Sequence, residues 1–209
     1  MCKALLIDHQ PMTRLAVKML LEQKGIEVVG TADTGVSGLS LARDAQPDLI
    51  LMDIALPKLD GLEVLSRLRH AVSDCKLLVL TSLPASLYAG RCLKAGANGF
   101  VSKQDDLDDI KAAIKSVMAG YSLFPSDVSM PSARQEKSSE ETSLLSLLSD
   151  RELTVLQNLA NGKNNMEIAE QLFISHKTVS TYKSRLMEKL NTRRMVDLID
   201  IARRNELGV

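Results

Sequence analysis

Aromatic residues are scarce in this 209-residue sequence, which has no tryptophan, three phenylalanines and three tyrosines. Proteins that bind single-stranded nucleic acid stack bases on aromatic side chains, so the scarcity argues against that class. Apolar residues make up 45% of the chain and charged residues 25%. This composition is typical of a globular protein with an aliphatic core and excludes a disordered or fibrous chain.

Cysteine is also infrequent, and its placement excludes two kinds of site. Cys2, Cys75 and Cys92 lie far apart without C-x-x-C spacing, so we predict neither a disulfide framework nor a zinc site. The opening residues MCKALLIDHQP contain only a short apolar run with an aspartate in it. They therefore predict neither a signal peptide nor a membrane span. A cytoplasmic location without a membrane partner fits both observations.

The formal net charge is zero, but the charges are unevenly distributed. Residues 176–194 contain six Lys and Arg residues and a single glutamate. A local basic stripe is typical of nucleic-acid binding, although a solvated helix face has the same composition. Charge by itself leaves both interpretations open.

Short apolar runs rich in β-branched residues recur in the first part of the chain, at 3–8, 26–30, 48–53, 76–81 and 98–102. Their length suits strands buried on both faces of a parallel sheet. Segments with helical periodicity lie between them, and the last, 105–119, begins with the acidic residues that a helix N-terminus favours. The alternation predicts an α/β flavodoxin-like domain with a five-stranded parallel sheet of order 2-1-3-4-5.

A polar segment rich in Ser and Glu separates this region from the rest of the chain. We predict a linker over 123–143 on this composition. Beyond it the apolar periodicity is helical, at 150–161, 165–172, 176–190 and 195–205. The sequence therefore predicts a first domain over 1–122 and a second, all-α four-helix domain over 144–209.

Four polar residues follow predicted strands at one edge of the sheet: Asp8, Asp53, Thr81 and Lys103. A carboxylate can accept a phosphoryl group, and a hydroxyl and an ammonium can bind phosphoryl oxygens. A second carboxylate beside the acceptor allows Asp8 and Asp53 to hold Mg²⁺. Each residue alone has an ordinary structural interpretation, such as a loop cap or a surface charge. Their joint placement predicts a phosphorylation site.

The motifs around these residues carry a specific resemblance: Asp8, LILMD ending at Asp53, Pro57, Gly61, LVLTS with Thr81, and AGANGFVSK with Lys103. They resemble the receiver domain of two-component response regulators. The resemblance implies that Asp53 is the phosphoacceptor of a sensor histidine kinase and that the backbone carbonyl of Ala55 helps to hold Mg²⁺. It also implies a phosphoryl-sensing set of Thr81, Lys103 and Phe100.

One position departs from the family pattern. Receivers usually have two consecutive acidic residues after the first strand, whereas here Asp8 is followed by His9. Because Mg²⁺ prefers oxygen ligands, His9 in place of an acidic ligand predicts weaker Mg²⁺ binding. It also leaves open an atypical receiver that regulates DNA binding by protein docking without phosphorylation.

Two enzyme alternatives have a similar fold, and we predict that the chain is not an enzyme. An aspartyl-nucleophile phosphatase expects a carboxylate two residues after the nucleophile, where Ala55 stands. An FMN-binding flavodoxin expects a phosphate loop rich in Ser, Thr and Gly after the first strand, where the chain reads HQPMTR.

In the second domain, helices 165–172 and 176–190 are joined by a short turn, which is helix-turn-helix spacing. Ser175 can cap the second helix, whose predicted buried face contains Val179, Tyr182, Leu186 and Leu190. The opposite face is predicted to enter the major groove of double-stranded DNA and to contact phosphates and base edges. It contains Lys177, Ser180, Thr181, Lys183, Ser184 and Arg185.

The pattern NxxIAxxLxxSxKTVxxYKSRLMEKL closely resembles the LuxR-type DNA-binding domain. Together with the receiver motifs, it makes the whole chain resemble the NarL/FixJ subfamily of response regulators and, within it, BvgA/EvgA-type regulators. The resemblance implies a transcription regulator that forms a homodimer through the helix Met195–Arg204. It also implies RNA polymerase as a further partner.

Overall fold

The computed structural model describes residues 2–57, 59–125 and 140–207. The chain divides into two compact units, Met1–Ser129 and Met130–Val209. Within the described ranges, all the named strands lie in the first unit, and the second is helical. None of the described helices is long and apolar enough to cross a membrane.

The first unit alternates strands and helices. The strands are β1 (Lys3–Ile7), β2 (Glu27–Ala32), β3 (Leu49–Met52), β4 (Lys76–Thr81) and β5 (Gly99–Ser102). The helices are α1 (Pro11–Gln23), α2 (Gly35–Ala45), α3 (Gly61–Ala71), α4 (Ala85–Lys94) and α5 (Leu107–Met118). All strand pairs are parallel, and the order is β2-β1-β3-β4-β5. This confirms the predicted flavodoxin-like sheet.

The middle of the sheet is buried, as its apolar sequence requires. All residues of β3 are buried, and β1 exposes only Lys3. One core cluster joins β1, β3, β4 and β5 to α1 and α5 and includes Leu6, Leu21, Leu51, Leu80, Val101 and Ile114. Burial of such aliphatic side chains is the main favourable contribution to folding. The sheet is therefore a rigid base for residues at its edge.

Strand register places the polar residues that follow the strands side by side. In the pairing of β1 with β3, Ile7 lies opposite Met52. Asp8 and Asp53 therefore leave the sheet next to each other. Thr81 ends the neighbouring strand β4 at the same edge. In an α/β sheet of this order, this carboxyl edge is where ligands bind.

The loop after β3 packs closely against the start of α3. A Cβ atom at Gly61 would lie 2.1 Å from the backbone oxygen of Ile54, so only glycine fits this approach. The side chain of Asp60 caps α3, and its Oδ1 accepts a hydrogen bond from the amide of Leu62 at 2.9 Å. These contacts fix the loop that begins at Asp53.

The second unit contains α6 (Glu140–Ser146), α7 (Asp150–Ala160), α8 (Asn165–Leu172), α9 (His176–Lys189) and α10 (Met195–Arg204). Capping boxes begin α7 and α8, and the Ser175 hydroxyl accepts a hydrogen bond from the amide of Thr178 at 3.0 Å to cap α9. Each cap satisfies amides that the first helical turn leaves without a partner. The core residues include Leu145, Leu153, Leu156, Ile168, Val179, Leu186 and Leu198.

An ion pair between the exposed Lys189 and the buried Glu152 connects α9 to α7. Lys189 Nζ lies 2.7 Å from Glu152 Oε2, and the amide of Ser149 donates to the same oxygen at 2.8 Å. Burial by itself would raise the pKa of Glu152, but the hydrogen bonds from Lys189 and Ser149 outweigh burial and lower that pKa below its ordinary value. The charged carboxylate thus both caps α7 and holds α9 against it.

The predicted linker 123–143 differs from the structure at both ends. The amide of Phe100 donates to the carbonyl of Leu123 at 2.8 Å, so Leu123 extends the hydrogen bonding of β5. At the other end, α6 begins at Glu140. The polar sequence hides both features, because Leu123 depends on a backbone contact with β5 and α6 makes tertiary contacts such as the ion pair of Glu141 with Arg204. Residues 126–139 of the predicted linker lie outside the described residues.

Candidate functional site

The carboxylate of Asp53 lies at the centre of the site. Thr81 Oγ1 donates a hydrogen bond to Asp53 Oδ1 at 2.7 Å, and Lys103 Nζ donates to Asp53 Oδ2 at 2.7 Å. The amide of Ala55 also donates to Oδ1, at 2.9 Å. Asp53 is only 2% exposed. The structure therefore brings three predicted residues from different strand ends into direct contact.

Lys103 also reaches the second predicted carboxylate. Its Nζ lies 2.7 Å from Asp8 Oδ2, so a single ammonium bridges Asp8 and Asp53. Two buried carboxylates repel each other, and the shared cation offsets this repulsion. The shared ammonium thus holds the two carboxylates together at the end of a buried sheet.

Two residues that we did not predict support this arrangement. The amide of Gln10 donates to Asp8 Oδ1 at 2.8 Å, and its side-chain oxygen accepts from Lys103 Nζ at 3.2 Å. The guanidinium of Arg14 donates to the backbone carbonyl of Asp8. Their position just after β1, at the same sheet edge, is the only signal in the sequence that points to them.

His9 joins the two carboxylates on the solvent side. Its Nδ1 lies 3.8 Å from Asp53 Oδ2 and 4.0 Å from Asp8 Oδ1, and its side chain is 40% exposed. One ligand atom from each of the three residues lies within 4.8 Å of the others. Two carboxylates and an imidazole are suitable ligands for a divalent cation. These residues form a cluster that can hold one.

Phe100 and Ala55 take different positions from the other predicted residues. Phe100 lies on β5 opposite Val79 and is 5% exposed, so it is an interior residue of the sheet. Ala55 reaches Asp53 through its amide, whereas the predicted metal ligand is its carbonyl oxygen. The sensing role of Phe100 and the ligand role of Ala55 both stay predictions.

The helix α9 has the two faces that its sequence predicts. Val179 and Leu186 are fully buried and Leu190 is 3% exposed, whereas Tyr182 is only partly buried. On the opposite face, the exposed members of the predicted set are Lys177, Ser180, Thr181, Ser184 and Arg185. A basic and hydroxyl-rich helix face is thus open to solvent.

Lys183 differs from the rest of this face because it is partly buried. Its Nζ donates to Asn165 Oδ1 at 3.0 Å, and the side-chain nitrogen Nδ2 of Asn165 donates to Ser180 Oγ at 3.2 Å. Asn165 is the first residue of α8, so it links the two helices of the helix-turn-helix. We did not predict this role, because no periodicity marks a polar residue that contacts another helix.

The hydroxyl groups on α9 are already oriented by the helix. Thr181 Oγ1 donates to the carbonyl of Lys177 at 3.1 Å, and Ser184 Oγ donates to the carbonyl of Ser180 at 3.2 Å. Each bond uses the hydroxyl hydrogen and leaves the oxygen as an acceptor. In this state the helix presents hydroxyl acceptors together with cationic donors.

Two family models match the chain in these same regions. The response regulator receiver domain matches residues 4–115, and the bacterial regulatory proteins of the luxR family match residues 146–202. The chain belongs to the response regulator family. This confirms the resemblance of its first part to receivers and of its second part to LuxR-type domains.

Several relatives match this response regulator over nearly its whole length. The virulence factors putative positive transcription regulator BvgA of Bordetella pertussis is 49% identical over 206 residues, which cover 99% of each chain. A putative transcriptional regulator of Pseudomonas aeruginosa is 51% identical and covers 99% of this chain and 100% of its own. The transcriptional activator EvgA of Escherichia coli is 37% identical, with 98% and 99% covered.

Solved structures share its fold. RcsB of Salmonella enterica serovar Typhimurium, bound to a promoter in the presence of the phosphomimetic BeF₃⁻, is 25% identical with a TM-score of 0.72. The match covers 96% of this chain and 97% of that one. A LuxR-family response regulator from Aurantimonas is 29% identical with a TM-score of 0.57 and covers 61% of this response regulator. These likenesses support a two-component transcription regulator and favour neither enzyme alternative.

Proposed function

We propose that this response regulator binds double-stranded DNA through α9 as a homodimer, and that phosphorylation of Asp53 by a sensor histidine kinase controls the binding. The observation that carries the proposal is the buried Asp53 carboxylate, which meets Thr81 on one oxygen and Lys103 on the other at 2.7 Å each. A carboxylate in this setting has the groups needed to receive and hold a phosphoryl group.

The chemistry follows from these contacts. An oxygen of Asp53 forms a bond to phosphorus while the bond to the donor breaks. The new phosphoryl oxygens then compete for the hydroxyl of Thr81 and the ammonium of Lys103, which both bind the carboxylate before transfer. Mg²⁺, held by Asp8, Asp53 and the carbonyl of Ala55, would neutralise negative charge on the transferred group.

A change at Thr81 and Lys103 can reach the neighbouring helices of the first unit. Thr81 ends β4 and Lys103 follows β5, so movement of either side chain acts on the connections to α4 and α5. Phe100, in the interior of β5, is the third member of the proposed sensing set. Two discrete arrangements of these elements would couple phosphorylation to DNA binding.

The DNA contacts are proposed for the polar face of α9. Lys177 and Arg185 are exposed cations, and cations of this kind neutralise phosphates or bind guanine. The full proposed contact set is Lys177, Ser180, Thr181, Lys183, Ser184 and Arg185. The promoter-bound structure of the relative RcsB supports the same mode of action.

The remaining partners follow from α10 and from the relatives. Val196 on α10 is 62% exposed, which makes this helix a suitable homodimer contact. The relative BvgA is named a putative positive transcription regulator, so we include RNA polymerase among the proposed partners. The proposal also includes a cytoplasmic location, because the kinase output and the DNA meet there.

One observation favours a second candidate, a receiver that acts by protein docking without phosphorylation. Lys103 already bridges Asp8 and Asp53, and His9 occupies the position of an expected acidic ligand. Such a site has less negative charge with which to recruit Mg²⁺. A test of phosphate acceptance separates the two candidates.

Labelling by a small phosphodonor tests the proposal. We expect acetyl phosphate with Mg²⁺ to add one phosphoryl group to the wild type and none to Asp53→Asn, because an amide is not a nucleophile of this kind. Asp105→Asn is the matched control, since Asp105 is an exposed carboxylate in the loop after β5. It should label like the wild type. Labelling of Asp53→Asn would show that another residue accepts the phosphoryl group. An unlabelled wild type would favour the docking alternative.

A further inference from the structure

We infer that His9 is a direct ligand of the divalent cation and that it makes the site select transition-metal cations, such as Mn²⁺ and Co²⁺, over Mg²⁺. The inference rests on the metal site of the proposed function and specifies which ion that site takes. It concerns binding selectivity, which is measurable without any phosphorylation.

The separations between the ligand atoms fit a shared ion. Two ligand atoms about 2.1 Å from one ion lie about 3 Å apart at a right angle and about 4 Å apart on opposite sides. His9 Nδ1 lies 3.8 Å from Asp53 Oδ2 and 4.0 Å from Asp8 Oδ1. Small side-chain rotations are therefore enough for all three residues to reach one cation.

Lys103 and His9 approach different oxygens of Asp8 and the same oxygen of Asp53, Oδ2. The ammonium of Lys103 contacts Oδ2 of Asp8, whereas His9 faces Oδ1 of the same carboxylate. Lys103 is 9% exposed and lies on the inner side, and His9 is 40% exposed on the outer side. A cation that enters from solvent meets the imidazole first. It does not have to displace the ammonium from Asp8, and it shares Asp53 Oδ2 with that ammonium.

Charge and ligand type both disfavour Mg²⁺ here. With a neutral imidazole, the two carboxylates and the ammonium leave the cluster with one net negative charge, one less than an acidic residue at position 9 would give. Mg²⁺ binds through electrostatic attraction to oxygen and keeps several waters. The divalent cations of the first transition row accept imidazole nitrogen, and their affinity for N/O sites increases from Mn²⁺ to Cu²⁺. His9 therefore weakens Mg²⁺ binding while it strengthens binding of these ions.

The substitution His9→Asn isolates the contribution of the nitrogen. It keeps position 9 neutral and puts an amide oxygen near the place of Nδ1, so the ligand type changes and the charge does not. The substitution His9→Asp adds a hard anionic oxygen and restores the usual acidic pair. Because the side chain of residue 9 is exposed, neither change disturbs the core.

The experiment measures the affinities of the full-length wild type, His9→Asn and His9→Asp for Co²⁺ and Mg²⁺ by calorimetry, and follows Co²⁺ coordination by its visible absorption. We expect His9→Asn to bind Co²⁺ at least about tenfold more weakly than the wild type, since even outer-shell partners of metal ligands contribute 10- to 100-fold. Its Mg²⁺ affinity should be equal to or higher than that of the wild type, because the charge is unchanged and an amide oxygen suits Mg²⁺ better than an imidazole nitrogen. His9→Asp should tighten Mg²⁺ binding and have the lowest Co²⁺ to Mg²⁺ selectivity.

A further variant assigns the binding to this site. Asp8→Asn should weaken the binding of both Co²⁺ and Mg²⁺, because it removes a carboxylate that either ion would use. Equal Co²⁺ to Mg²⁺ selectivity in the wild type and His9→Asn would overturn the inference, as would Co²⁺ binding that Asp8→Asn leaves unchanged. Both results are independent of acetyl phosphate labelling. A failure of selectivity is thus distinguishable from a failure of the proposed function.

Discussion

The polar groups of the Asp53 site and those of the α9 face are held in opposite ways. At the first site, Thr81 and Lys103 bind Asp53 from positions 28 and 50 residues away along the chain, and the carboxylate is buried. On α9, the hydroxyls of Thr181 and Ser184 bind carbonyls four residues back, and both side chains are exposed. Tertiary structure orients the first set, and the local helix orients the second.

This difference predicts how each region responds to substitution. In a buried ionic cluster, loss of one partner leaves a charge that neither protein nor water compensates. On an exposed helix face, loss of a side chain removes a contact to the ligand and has little effect on folding. Substitutions at the Asp53 site should therefore change both the free energy of unfolding and phosphorylation. Substitutions on the α9 face should change DNA binding and leave the free energy of unfolding almost unchanged.

The largest effect is expected for Lys103→Met. It removes the cation that bridges Asp8 and Asp53, and truncation of one partner of a buried pair typically costs 3–5 kcal/mol, so we expect the free energy of unfolding of the first unit to fall by about 3 kcal/mol. Urea denaturation at neutral pH without divalent cations, followed by circular dichroism, measures the change.

Lys111→Met is the matched control for this measurement. Lys111 also pairs with a carboxylate at 2.7 Å, but its partner Asp108 is 91% exposed. An exposed pair of this kind contributes at most about 1 kcal/mol. If Lys103→Met destabilises the protein no more than Lys111→Met does, then the buried cluster at Asp53 contributes no more to stability than an exposed ion pair.

A smaller effect, on binding alone, is expected for Lys177→Ala. Lys177 is exposed in the first turn of α9, so its loss should leave the free energy of unfolding within about 0.5 kcal/mol of the wild type. We expect weaker DNA binding. If the residue contacts a phosphate, the negative slope of log affinity against log salt should become smaller in magnitude by about one. Fluorescence anisotropy across a salt series gives both values.

Lys24→Ala removes an exposed cation from the first unit and serves as the control for Lys177→Ala. Its salt slope should equal that of the wild type. An unchanged slope for Lys177→Ala would remove Lys177 from the proposed phosphate contacts and would weaken the assignment of the α9 face.

The same contrast explains what could be predicted from sequence. The sheet order follows from the alternation of apolar runs and helices, and Asp53, Thr81 and Lys103 are predictable because each ends or follows a strand. Strand β2 was less predictable: it extends to Ala32, beyond the predicted end at 30, because its last residues pair with β1. Such an extension depends on a neighbouring strand and leaves no periodic signal.

Residues that act across elements were the hardest to predict. Gln10 reaches Lys103, and Asn165 reaches Lys183 from another helix. The polar pattern of α9 correctly indicates an exposed face, yet it also predicts Lys183 to be exposed, whereas the contact with Asn165 makes it partly buried. Local patterns predict which side of a helix is polar, but not which polar side chains another element holds.

Control of DNA binding by phosphorylation of Asp53 is the part of the proposal that joins the two regions. The most direct measurement is the DNA affinity of the full-length chain before and after treatment with acetyl phosphate, for the wild type and for Asp53→Asn, with the extent of phosphorylation determined in parallel. Coupling between sites is typically 1–3 kcal/mol, so we predict that the affinity of the phosphorylated wild type changes by about 5- to 150-fold, while Asp53→Asn does not respond. An affinity that is the same for unphosphorylated and fully phosphorylated wild type would show that phosphorylation of Asp53 does not control DNA binding.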